Sequence, residues 1–222
     1  MRSTEESIKI LYFSKGHEEP YVQIITVRKA KRSLSIYSSQ STCTSDKEVD
    51  DTLPILKQHS HILLEHHIQS LASHLPARIQ CCLWHLVYST VEHGTSLRTL
   101  YRCMAHVDRP VLLLIKDMRN QVFGAFSSDP FRVSDRCYGT GETFLFTFSP
   151  EFKMFCWSGE NSYFVRGFLD SLQIGGGGGS FGLWVDADLY HGATFPCNTF
   201  HNQPLSPQHD FTIQALEVWT FQ

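Results

Sequence analysis

From Pro110 onward the chain is a series of short apolar runs cut by turn residues, a pattern that strands satisfy and long helices do not. Val111-Leu112-Leu113-Leu114-Ile115 has the length of a buried strand. Turn-forming residues from Asp117 to Asn120 follow, and Val122 to Ser127 reads as the returning hairpin partner. Thr143 to Phe148 alternates: Phe144, Phe146 and Phe148 share one face, Thr143, Leu145 and Thr147 the other. Pro150 turns the chain and Lys153 to Trp157 pairs back. Phe181 to Leu189 and Phe211 to Phe221 read as two further strands.

Upstream, Leu64, Ile68, Leu71 and Leu75 form one stripe of an amphipathic helix, with Ser60 as its expected N-cap and Pro76 as its stop. Trp84 to Thr90 reads as a strand ended by Gly94. Leu97, Leu100, Tyr101 and Met104 suit a second short helix capped by Thr95 or Ser96. Many short strands with two early helices predict an α+β, mostly β fold: two antiparallel sheets packed as a β-sandwich with flanking short helices. A 42% hydrophobic content is ample for the core this requires.

Residues 1–58 are read as a flexible N-terminal arm and residues 59–222 as the compact domain. Within the arm, Tyr21 to Val27 alternates and suits one added strand. The cluster Arg28-Lys29-Ala30-Lys31-Arg32 reads first as a solvated charge run, and second as an import signal or membrane-surface contact. The Ser/Thr-rich stretch through Ser45 has too few apolar residues to repay its ordering entropy. A net charge of −3 gives no nucleic-acid footprint. The seven cysteines, an odd set without a CxxC pair, argue for a reducing compartment and against a zinc ribbon. No signal peptide or run of about 18 apolar residues is seen. The expected setting is therefore cytoplasm or nucleus, for a monomer without direct membrane insertion.

The glycine run at 175–179 is not a phosphate loop, because Ser180-Phe181-Gly182 follows without a lysine and a strand comes next. Five glycines in succession cost much chain entropy, so a bare backbone surface for close approach of a partner is preferred over a mere turn. Glu142, in Gly139-Thr140-Gly141-Glu142, is expected to lock its loop by accepting backbone N–H groups. The competing role is a catalytic carboxylate, which needs a second acid or base in reach. Asp186, Asp188 and His191 are expected to face solvent at a strand end rather than hold a metal, although the two aspartates would share a strand face. Among twelve histidines, His66, His67 and His74 on the first helix read as exposed polar positions. Cys81 and Cys82 read as small buried hydrophobes, with redox chemistry as the alternative.

From about Leu63 to Gln222 the chain resembles the TLDc domain family of the oxidation-resistance proteins, most nearly its coactivator branch. Leu75-Pro76-Ala77-Arg78, Trp84, His93-Gly94-Thr95-Ser96-Leu97, Phe123-Gly124-Ala125-Phe126, the Gly139 to Phe146 and Trp157 to Phe164 segments, Phe181 to Tyr190 and Glu217-Val218-Trp219 carry the resemblance. It implies a two-sheet β-sandwich and no enzymatic activity, catalytic residue, cofactor or metal. It also implies binding to the peripheral cytosolic sector of the vacuolar-type proton ATPase on endolysosomal vesicles, resistance to oxidative stress, and an antiviral role. The family's shared positions fall on Gly124, Gly139, Gly141, Glu142, Gly159, Glu160, Gly175 and Gly182, of which Gly124 and Gly175 are the leading candidates for pump association. A bulky residue at either is expected to weaken association while the fold survives. The chain departs from the family at Cys156, where a basic residue is usual, and at Cys81-Cys82. This keeps open a peroxide-consuming or hydrolytic activity using Glu142 or a cysteine.

Overall fold

The computed structural model describes residues 9–12, 23–26 and 53–222. In the first of two units, β1 (Lys9–Tyr12) pairs antiparallel with β2 (Gln23–Thr26), Lys9 opposite Thr26 and Tyr12 opposite Gln23. β2 lies inside the alternating 21–27 stretch. The basic cluster at 28–32, the Ser/Thr-rich stretch and the flexibility assigned to the arm lie outside the described residues.

The second unit begins upstream of His59. Ile55 and Lys57 exchange backbone hydrogen bonds with Trp84 at 3.0 and 2.8 Å. α1 (Glu65–His74) starts later than the apolar stripe suggests. Ser60 is not its cap. The Ser60 hydroxyl accepts the Ile62 and Leu63 N–H groups and donates to Glu217, so the chain stays in a turn until Leu64. Leu64 is consequently exposed, and His67 and Leu71 form the buried face of α1. His67 is thus no exposed polar residue: its ring packs 4.3 Å from that of Phe148, and its Nδ1 accepts the Leu64 N–H.

β3 (Trp84–Ser89) runs into a single turn of helix, α2 (Thr90–His93), because the Ser89 hydroxyl accepts the Val91 N–H. α3 (Leu97–Met104) is capped by Ser96 through the Thr99 N–H. β4 (Val111–Asp117) and β5 (Val122–Ser127) form the expected hairpin, Val111 opposite Ser127. Its turn is closed by Asp117, whose Oδ1 accepts the Arg119 and Gln121 N–H groups. β6 (Phe144–Thr147) and β7 (Lys153–Phe155) add to that sheet. β8 (Val165–Gly167) and β9 (Ser171–Ile174) were not expected as strands. The strand read over Phe181 to Leu189 is two: β10 (Leu183–Asp186) and β11 (His191–Ala193), joined by a turn that holds Asp188. β12 (Asp210–Phe221) closes the fold.

The strand order is β7-β6-β5-β4-β12-β11-β10-β9-β8, antiparallel throughout, with β3 also beside β12. β12 is shared. Residues 210–212 pair with β11, 213–220 with β4, and 217–221 also with β3. The ladder to β4 is irregular between Ile213 and Ala215, where β12 passes from one layer to the other, and the ladder to β3 is irregular between Val218 and Trp219. The result is the expected mostly β fold with two sheet layers and a few short helices.

Alternation sorts the apolar residues into two cores. Leu113, Ile115, Phe123 and Leu145 face Leu172, Ile174, Leu183 and Val185 between the layers. Their neighbours Leu112, Leu114, Phe144 and Phe146 point the other way and are covered by Leu71 and Leu75 of the α1 segment. Each such buried side chain contributes about 1.5–3 kcal/mol, which sets the register firmly.

Candidate functional site

Four loops converge beside the ends of β6, β7 and β9: residues 139–143, 157–163, 175–182 and 197–202. Trp157 begins the assembly. Its indole covers Gly141, where a Cβ would stand 2.5 Å from the ring, and its Nε1 donates to the Asn161 carbonyl at 2.6 Å. Asn161 then ties three segments together. Its Oδ1 accepts from the Tyr163 N–H at 3.0 Å and from the Thr199 hydroxyl at 2.7 Å, and its Nδ2 donates to the Gly176 carbonyl. The Gly176 N–H in turn donates to Thr199 Oγ1 at 2.9 Å. The glycine run is therefore laced into the site as backbone.

Both glutamates in the predicted set serve as clasps. Glu160 receives the Asn198 amide at 2.8 Å on one oxygen and meets His201 Nε2 at 2.7 Å on the other. The Ser158 hydroxyl adds a bond to the Asn198 carbonyl. Glu142 is gripped on both oxygens by the guanidinium of Arg78. The hydrogen bonds from Arg78 hold the Glu142 carboxyl below the usual carboxylate range. Glu142 does lock its loop, but through a side chain 64 residues away rather than through backbone N–H groups.

Of the eight predicted positions, Gly141, Glu142, Gly159 and Glu160 are exposed and Gly139 is half-buried. Gly124, Gly175 and Gly182 are buried. Gly124 lies in mid-strand, where an added Cβ would meet the Leu113 carbonyl. At Gly175, whose φ is +79°, it would meet Cys197 Sγ at 2.7 Å and Phe200, and at Gly182 it would meet Leu145. The fold therefore does not tolerate a bulky residue at Gly124 or Gly175, contrary to the expectation from the sequence. Gly178 and Gly179 are the glycines of the run that reach the surface. Around them the exposed apolar groups are Trp157 (43%) and Tyr163 (51%).

Asn198, Thr199 and His201 were not singled out by the sequence, and Arg78 and Asn161 stood there only within the segments that carry the family resemblance, not as site residues. Only Asn161, two residues before Tyr163 as in an Asx turn, carried a local signal. The other chemistry-bearing residues lie elsewhere. Asp186 caps its own turn by accepting the Tyr190 N–H at 2.9 Å, and Asp188 is off the strand, so the two do not share a strand face. Cys81 is exposed and Cys82 half-buried, which overturns their reading as buried hydrophobes. Cys197 is the buried thiol, and burial pushes its pKa up. Cys156 is exposed beside Trp157.

Residues 56–222 match the model of the TLDc domain. Over 200 residues the chain is 58% identical to nuclear receptor coactivator 7 of Homo sapiens, covering 90% of this chain and 21% of that protein. The Gallus gallus protein of that name is 59% identical over the same length. Oxidation resistance protein 1 of Bos taurus is 54% identical over 188 residues, which is 84% of this chain and 22% of that protein. The chain thus spans about a fifth of the length of these relatives.

Proposed function

We propose, from the premise that this chain belongs to the TLDc domain family, that it is a non-enzymatic regulator of the vacuolar-type proton ATPase. It binds the peripheral cytosolic sector of the pump, modulates endolysosomal acidification, and through that contributes to protection against oxidative stress. The oxidative-stress part of the reading is supported by relatives named for oxidation resistance. The observation that carries the binding reading is the four-loop surface. Its carboxylates are spent on internal clasps, while Trp157, Tyr163 and the Gly178–Gly179 backbone face outward. Such a surface suits close protein contact, with aromatic anchors beside bare backbone.

A pull-down of the purified chain against the detergent-solubilised pump and its detached peripheral sector, followed by an ATPase assay, tests this. Binding with altered ATP hydrolysis is expected, lost in Tyr163→Ala at unchanged melting temperature. A folded sample that binds neither form overturns the reading. A second reading, peroxide consumption by a thiol, is favoured by the exposure of Cys81 and Cys156. It predicts peroxide reduction by the chain without the pump, each peroxide oxidising one thiol to a sulfenic acid that an added thiol reductant returns to the thiol, and abolished when both cysteines are replaced.

A further inference from the structure

The two sheet layers are covered unequally. The α1 segment packs on the outer face of the first, over Leu112, Leu114 and Trp219. The outer face of the second carries one cross-strand row: Arg166 opposite Gln173, then Trp184, then Ala193, then Asp210. Arg166, Gln173 and Trp184 are half-buried, and Asp210 is exposed. In this row β11 contributes only Ala193 between Trp184 and Asp210. Beside it opens a cavity of about 350 Å³ lined by Trp184, His191, Gly192, Asp210, Phe211 and Thr212.

The walls of this cavity differ in kind. Trp184 and Asp210 stand two strand spacings apart, roughly 10 Å, which admits one extended side chain between them. Phe181 lies 6.3 Å from the Trp184 ring, Phe195 lies 5.4 Å from Phe181, and His209 stacks on Phe195 at 4.9 Å, an aromatic chain from Trp184 to the residue before Asp210 of which only Trp184 lines the cavity. Asp210 takes part in none of the three ion pairs among the described residues. The cation of the row, Arg166, is at the opposite end, on β8.

An indole face attracts a cation, a carboxylate pairs with one, and a floor of bare glycine backbone accepts an apolar stem. Lysine and arginine join these three properties in one side chain. We propose that this face binds a lysine or arginine presented by a basic segment of a partner protein. The stem lies over Gly192, and the charge lies between the Trp184 indole and the Asp210 carboxylate. The net charge of −3 on the chain favours such a partner. The lining of this cavity uses none of the residues of the four-loop site, so the two readings stand or fall separately.

The test is an NMR titration of the labelled chain with hexalysine, hexa-arginine and fully acetylated hexalysine, the Trp184 indole signal being identified with Trp184→Phe. Either basic peptide is expected to shift that indole and the amides of 191–193 and 210–212, with the acetylated peptide silent. Asp210→Asn should weaken binding about fivefold, the scale of one exposed charge pair, with the melting temperature unchanged. Four results would overturn the proposal. These are equal affinity of Asp210→Asn, equal binding of the acetylated peptide, shifts confined to other acidic positions such as Asp186 and Asp188, and self-association that fills the face without peptide.

Discussion

The carbonyl oxygen of Leu113 lies 1.9 Å from the point where a Cβ on Gly124 would stand. The two residues sit on neighbouring strands in mid-sheet, and the obstacle is backbone already committed to the ladder. Gly124→Ala is therefore expected to cost about 3 kcal/mol or more, at the severe end of overpacking. Gly159→Ala meets nothing within 4 Å and bears only the strain of φ +85°, about 1–2 kcal/mol. Thermal melts of the two variants should differ clearly, and equal melting temperatures would show that the strand yields. Loss of partner binding in Gly124→Ala then reports loss of folded chain, so binding tests belong at Tyr163.

Glu217 is fully buried and its carboxylate has three donors: the Ser60 hydroxyl at 2.6 Å, the His61 N–H at 2.7 Å and Trp219 Nε1 at 2.9 Å. Ser60→Ala removes one of them and frees two backbone N–H groups as well. A loss of about 1–3 kcal/mol is expected. In denaturant titration, a midpoint unchanged from wild type would mean that water replaces the hydroxyl.

His67 makes stability depend on pH. Burial, and then the neighbouring His66, push its pKa from 6.5 down to about 4. Below pH 6.5 the unfolded chain takes up the proton first. Stability is thus complete above that value and declines as pH falls toward about 4. His67→Leu keeps the packing on Phe148 and should flatten the curve in that window by on the order of 2 kcal/mol. Identical slopes for variant and wild type would exclude His67 as the titrating group.

The Arg78–Glu142 pair is a loop clasp with little weight in global stability. Its side chains are 51% and 43% exposed, so screening limits it to about 0–1 kcal/mol. Because the folded carboxyl titrates below its unfolded value, this contribution is present above the ordinary carboxylate range and is lost as pH falls through the folded value. Glu142→Gln should leave the melting temperature nearly unchanged while increasing hydrogen exchange in residues 139–143. A large drop in melting temperature would assign the pair a structural role.

Thiol labelling should follow exposure. Alkylation of the native chain, read by mass spectrometry, is expected at Cys81 and Cys156 well before Cys197, which is buried with its pKa raised. Early modification of Cys197 would mean that the loops around Gly175 and Gly182 open readily.

The sequence by itself determined the longer apolar strands and which of their faces are buried, but not β8, β9 or the break between β10 and β11. The β4–β5 hairpin, the alternating phenylalanines of β6 and the cap at Ser96 all follow from signals within a few residues, where backbone geometry is local. It also carried the family, through the order of its glycine, glutamate and tryptophan positions. Short or polar strands such as β8, with Arg166 between Val165 and Gly167, hold too few residues for a period to show.

The tertiary structure alone decided the rest. Glycine is chosen for what would collide with a Cβ, and the colliding atoms are contributed by distant segments: Leu113 for Gly124, Cys197 for Gly175. The clasps join Arg78 to Glu142 across 64 residues and Glu160 to His201 across 41. Ser60 left its helix to serve Glu217, 157 residues away, because a buried carboxylate without donors costs more than a helix cap contributes. Such pairings depend on how the two layers fold over β12, and no local pattern records that bend.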